Sequence, residues 1–408
     1  MRIFKRQSMQ SILDIGLMKR NGRCRRPFAV QKIYSLLVPI WVLWISTAAL
    51  GHDVPEHLDP ELLTGRRTWL HLTIQWIHLV TFALWMGLTA GTLLLKVAVP
   101  LDHLLYGSWI IFLIMLATGT YNAEWSAGIS ETPSLFLLSV LGKVPYGTTY
   151  TIALAVKVGL YGVTALMTLI ITVMHLRSRM REAALRKTFL IAGSALGVLV
   201  ALAAAVVLFY HEAADIWPNQ LHSSGGVMGP AGPLGLVEAV GESVPNDFRL
   251  LGTKDAWIDI GVRWVHLLGF GLLLGGTAMA AVFGNVSPKR FLQYSWIVIA
   301  ILSLSGIGNM ARWTPFFVSP YFWKLPALSP IRFGASYTVF MAVKHALVFA
   351  VIALIARQTY DYAKVRRGDT YGTLSFRPYY LMETILGLAI AYIMIIVLLL
   401  HEGVDHAL

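Results

Sequence analysis

Read for its hydrophobic and polar positions, the chain is a succession of long apolar runs separated by short polar stretches. Nine runs stand out, at 31–51, 68–96, 103–121, 148–176, 188–211, 256–284, 291–311, 334–360 and 378–401. Each is about 20 residues or longer, enough to cross a hydrocarbon core as a helix. Backbone in lipid must satisfy its own hydrogen bonds, which only helices and closed barrels do, and runs this long and unbroken do not suit barrel strands. The pattern predicts an all-α polytopic membrane protein with about nine transmembrane helices, one N-terminal helix plus two repeated four-helix bundles.

The repeat is visible when residues 68–215 are laid over 256–405. "QWIHL" (Gln75 to Leu79) matches "RWVHL" (Arg263 to Leu267), and Gly87 and Thr89 match Gly275 and Thr277. "GTYN" matches "GIGN", setting Asn122 over Asn309, and "GTTYTIALAVK" matches "GASYTVFMAVK", setting Lys157 over Lys344. Each half ends on the same polar signature, "HEAAD" (His211, Glu212, Asp215) and "HEGVD" (His401, Glu402, Asp405). Four helices per unit is an even number, so both units enter the membrane from the same side and form a parallel repeat.

Charge then orients the helices. The arm 1–30, the loops "HLRSRMREAALRK" and "SPKR", and "AKVRRGDTYGTLSFR" are all basic. They fall on one side if the N-terminus is cytoplasmic. The expected organisation is a basic cytoplasmic arm (1–30), a first transmembrane helix with its outer loop (31–67), a first four-helix repeat (68–215), a periplasmic Gly/Pro-rich linker (216–255) and a second repeat (256–408). The expected location is a bacterial inner membrane, multi-pass, with a periplasmic C-terminus. The lipid bilayer is the first partner implied.

Composition changes this picture little. Hydrophobic residues make up 56% of the 408 and charged residues only 13%, against about 25% charged in a soluble domain. The net charge of +12 does not mark a nucleic-acid partner, because Lys and Arg sit beside helix ends. The single cysteine, Cys24, excludes disulfides, Cys-based zinc sites and Cys-ligated iron–sulfur clusters.

The candidate chemistry is histidine chemistry. His78 and His266 sit about ten residues into inward-running helices, roughly 15 Å deep at 1.5 Å per residue. Lys157, Lys344 and His345 lie at similar depth on the third helices. His71 stands two turns above His78, where the repeat puts Asp259, with Arg263 between Asp259 and His266. The outer half thus holds nearly all the intramembrane ionisable groups, and the inner half is almost purely apolar. Buried charge in lipid costs several kcal/mol and marks function by default. His78, His211, His266, His345, His401 and His71 are the candidate metal ligands. Glu212, Asp215, Asp259, Arg263, Lys157, Lys344, Glu402, Asp405, Asn122 and Asn309 are candidate supporting or relay groups. His with Met and carboxylate, without Cys, suits copper or haem iron. A ligating imidazole needs an acceptor for its other nitrogen, which Glu212, Glu402 or Asp259 could supply. No P-loop, dinucleotide fingerprint or nucleophile elbow is present, so enzyme activity is not expected. HExxD also lacks the second His of the zinc-protease motif.

The "WxHL…G", "G…N" and "GxxYx…K" helices, with "YGTTYTIALAVKVGLYGVTAL" and "GASYTVFMAVKHALVFAVIAL" as the nearest stretches, resemble the bacterial CopD family of inner-membrane copper resistance proteins. The resemblance covers about 68–215 and 256–405. It implies copper movement from periplasm to cytoplasm beside a periplasmic copper-binding protein, with the family's helix-borne histidines falling on His78 and His266. Two other readings fit the same residues. One is a b-type haem cytochrome, with His266 and His345 as axial ligands, Arg263 near a propionate and a cytochrome c as partner. The other is a non-catalytic membrane subunit of a respiratory complex.

Overall fold

The computed structural model describes residues 66–126, 146–177, 182–213, 251–312, 334–367 and 375–405. Eight long helices fill these residues, with no strand among them, and all eight are long and apolar enough to cross a membrane. They are α1 (Arg66–Met86, continued by a π-helical turn at Gly87–Gly91 and a last turn at Thr92–Leu95), α2 (Leu101–Ser126), α3 (Gly147–Arg177), α4 (Glu182–Ala213), α5 (Lys254–Phe283), α6 (Pro288–Arg312), α7 (Gly334–Arg367) and α8 (Arg377–Asp405). The expected helix at 31–51, Cys24 and most of the 216–255 linker lie outside the described residues.

The helices outrun the apolar runs at the basic ends. α4 begins six residues before 188, and α7 continues seven residues past 360. The added turns carry Arg186, Lys187, Lys364, Arg366 and Arg367. Hydropathy marks the part of a helix that meets lipid, whereas backbone hydrogen bonding continues into the polar layer.

The same contacts recur in both units. The Trp76 indole donates to the Leu388 carbonyl at 3.0 Å, and Trp264 donates to Val198 at 3.1 Å. Trp109 donates to the Thr172 hydroxyl at 3.3 Å, and Trp296 to Thr359 at 3.1 Å. The Trp pairs, the Thr pair and the two acceptor carbonyls are each 187 to 190 residues apart, the spacing of the matched motifs.

The first helices of the two units cross at their matched glycines. A Cβ on Gly87 would lie 2.2 Å from the Gly275 carbonyl oxygen, and one on Gly275 would lie 2.0 Å from that of Ala83. Only hydrogen allows this approach, as at other small-residue crossings in membranes. The π turn begins at Gly87, and Thr92 Oγ1 donates to the Gly87 carbonyl at 3.1 Å.

Each fourth helix then packs against the first helix of the other unit. Leu72 of α1 joins Tyr337 and Met341 of α7 and Ile396 and Leu400 of α8. Its counterpart Ile260 of α5 joins Tyr150 of α3 and Phe209 and Tyr210 of α4. The third helices are the least covered, each 17% buried over its most apolar stretch.

Candidate functional site

Two imidazoles are held in the same way by the same local device. Thr118 lies on α2, one turn beyond Ile114, and its hydroxyl donates to the Ile114 carbonyl at 2.7 Å. With that proton committed, Thr118 Oγ1 is an acceptor toward His78 Nδ1, 2.9 Å away. His78 therefore carries its proton on Nδ1, leaving Nε2 as the basic nitrogen. Ser305 repeats this on α6: its hydroxyl donates to Ile301 at 2.8 Å, and His266 Nδ1 lies 3.0 Å from Ser305 Oγ. His345 Nδ1 lies 2.7 Å from the Met341 carbonyl, which only accepts, so its basic nitrogen is again Nε2.

A glycine follows each hydroxyl and makes room for the ring. A Cβ on Gly119 would reach His78 Cε1 at 3.3 Å, and one on Gly306 would reach His266 Cε1 at 3.5 Å. Lys157 stands within electrostatic reach of His78, and Lys344 within reach of His266 and His345. Asn122 and Asn309, matched in the repeat, each bury a side-chain carbonyl oxygen with no hydrogen-bond partner among the described residues.

Toward the same end, the units diverge. His71 is buried with its ring 6.1 Å from Tyr121. At the matching place in α5, Asp259 pairs with Arg263 at 2.9 Å, both side chains 7% exposed. His211 sits in the last turn of α4, edge-on to Tyr150 at 5.8 Å between centroids. The final signature is helical as well, because α8 runs through His401 and Glu402 to Asp405. The side chains of Glu212, His401, Glu402 and Asp405, and all of Asp215, lie outside the described residues.

One sequence expectation, the almost purely apolar inner half, needs correction, and one detail is added. The acceptors that orient His78, His266 and His345 are two hydroxyls and a backbone carbonyl. Thr118 and Ser305 did carry a signal, since they are 187 residues apart, each just before a matched glycine. The inner half also holds buried polar groups. Gln358 of α7 and Glu383 of α8 are 0% and 2% exposed, and the Gln358 amide donates to Glu383 Oε1. Nearer that end, Arg357 binds Asp361 at 3.0 Å and Tyr379 donates to the same carboxylate at 2.5 Å. The repeat concealed Glu383, because unit one has Gly193 at that place and Ile171 opposite Gln358.

Among the described residues, no three His, Cys, Asp or Glu side chains gather closely enough to hold an ion. What the geometry offers is His78, His266 and His345, each with Nδ1–H committed and a basic Nε2. No family model, curated protein or solved structure matches the chain.

Proposed function

We propose that this multi-pass membrane protein handles copper, taking the ion as cargo at imidazoles in the outer half of the membrane. The pair of hydroxyl-anchored histidines carries the reading. His78 and His266 each commit Nδ1–H to a hydroxyl whose own proton is spent on a helix carbonyl. Ligating histidines use this arrangement, since the second hydrogen bond sets the tautomer and raises ligand basicity. An ion that must leave again is better served by separate sites of one or two ligands than by a closed cage. The basic residues at the α1–α2, α3–α4, α5–α6 and α7–α8 junctions support a cytoplasmic position for that end in a bacterial inner membrane. The histidine-bearing end then faces the periplasm, where a copper-binding protein or a cytochrome c would be the partner.

The test is copper bound per chain by the purified protein. His78→Ala and His266→Ala should each lower it and the double variant should abolish it, while Thr118→Val should weaken affinity by about 10- to 100-fold. Wild type binding no more copper than the double variant overturns the reading.

One observation favours b-type haem instead. The Lys157 and Lys344 ammonium groups beside His78 and His266 repel a metal cation but would complement an anionic propionate. The basic Nε2 of His266 and of His345 fits an axial ligand. An oxidised-minus-reduced visible spectrum with a haem α band decides for this reading, and its absence removes it.

A further inference from the structure

The Glu383–Gln358 pair belongs to no part of the copper reading. It stands about six residues into α8, roughly 9 Å along the helix from Arg377 and far from the histidines of the opposite end. Both side chains are almost wholly buried. The Gln358 amide nitrogen donates to Glu383 Oε1, while Glu383 Oε2 and Gln358 Oε1 are buried with no hydrogen-bond partner among the described residues. A buried carboxylate is expected to have a cation or several donors, because an isolated charge in a low-dielectric interior is prohibitive.

Among the described residues, no cation acts electrostatically on the Glu383 carboxyl. On α7, Arg357 and Asp361 are bound to one another, and Lys364 lies over the Tyr360 ring. On α8, Arg377 donates to the Ala281 carbonyl and Tyr379 to Asp361. α5 presents no titratable side chain from Leu267 to Phe283, and α6 brings Lys289, Arg290 and Tyr294, whose hydroxyl is spent on the Leu272 carbonyl. Tyr380, one turn from Glu383, is fully buried, and its hydroxyl also has no hydrogen-bond partner among the described residues.

The two unpaired oxygens of the acid–amide pair are the two that a single proton would join. We propose that Glu383 is an intramembrane proton-binding site: its carboxyl carries a proton on Oε2 at neutral pH and donates it to Gln358 Oε1, closing a cyclic acid–amide pair. One proton then satisfies both orphaned oxygens and removes the unpaired charge. Tyr380, one turn before Glu383 on α8, is within electrostatic reach of the carboxylate formed on release. Nothing in unit one can do the same, since Ile171 and Gly193 occupy the matching places.

Infrared spectroscopy of the full chain in lipid at pH 7 tests this. A protonated-carboxyl stretch is expected in wild type, lost in Glu383→Gln and retained in Asp361→Asn. Glu383→Gln should fold, because the new amide donates to Gln358 Oε1 as the acid does. Gln358→Met should shift the band toward that of an acid without a hydrogen-bond acceptor. No protonated-carboxyl band in wild type, a band undiminished in Glu383→Gln, or one unmoved in Gln358→Met overturns the proposal.

Discussion

The first and second four-helix units share their packing but not their polar content. The Trp indoles reach matching acceptors, the imidazoles rest on matching hydroxyls, and the first helices meet at matching glycines. Yet Val158 faces His345, His71 faces Asp259, Ile171 faces Gln358 and Gly193 faces Glu383 across the repeat. Contacts that hold helices together recur where the backbone geometry recurs. Ionisable groups, each costly in lipid, are added mainly to the second unit. A doubled scaffold thus carries different polar groups at its opposite ends.

The shared crossing gives the largest expected effect. Gly87→Ala and Gly275→Ala each put a methyl group within 2.2 Å of backbone, so α1 and α5 must separate. Each is expected to cost about 3 kcal/mol or more, read as loss of folded protein and of thermal stability in detergent. Gly159→Ala, with nothing within 4 Å of the new carbon, should be harmless. Unequal losses at the two crossing glycines would break the symmetry.

Next comes an ion pair found in the second unit alone. Asp259→Ala takes the paired carboxylate from a buried guanidinium and should destabilise by about 3–5 kcal/mol, while Asp259→Ala with Arg263→Leu should recover most of it. Matched thermal melts of the single and double variants check this, and equal melting points would remove the pair from the account.

The smallest effect concerns the ends of the first helices. Lys96 (φ 54°) and Gly284 (φ 69°) close α1 and α5 in the same left-handed conformation, and they are 188 residues apart. Glycine takes this conformation without cost, whereas an L-residue there costs about 1–2 kcal/mol. Lys96→Gly should therefore raise the melting temperature and Gly284→Lys lower it by a similar amount.

Much of this architecture was legible beforehand, and for a definite reason. Lipid demands a continuous apolar run for every crossing, so α1 to α8 appear in the hydropathy at nearly their true positions. The repeat is equally plain, because the two units keep the same Trp, Gly and His spacing. The anchors of His78 and His266 were less visible. Thr118 and Ser305 differ in identity, and a hydroxyl on a membrane helix usually bonds only its own backbone.

The sequence alone determined that the chain spans a membrane with helices, that those helices come in two sets of four, and that His78 and His266 occupy equivalent positions. Only the tertiary structure decided that each fourth helix packs on the first helix of the other unit, which ring nitrogen each anchored histidine keeps basic, and that Glu383 meets Gln358. Hydropathy and spacing act along one strand of chain, so they survive in a linear reading. A hydrogen bond between neighbouring helices depends on their relative rotation and depth, which the packing of all eight described helices sets together.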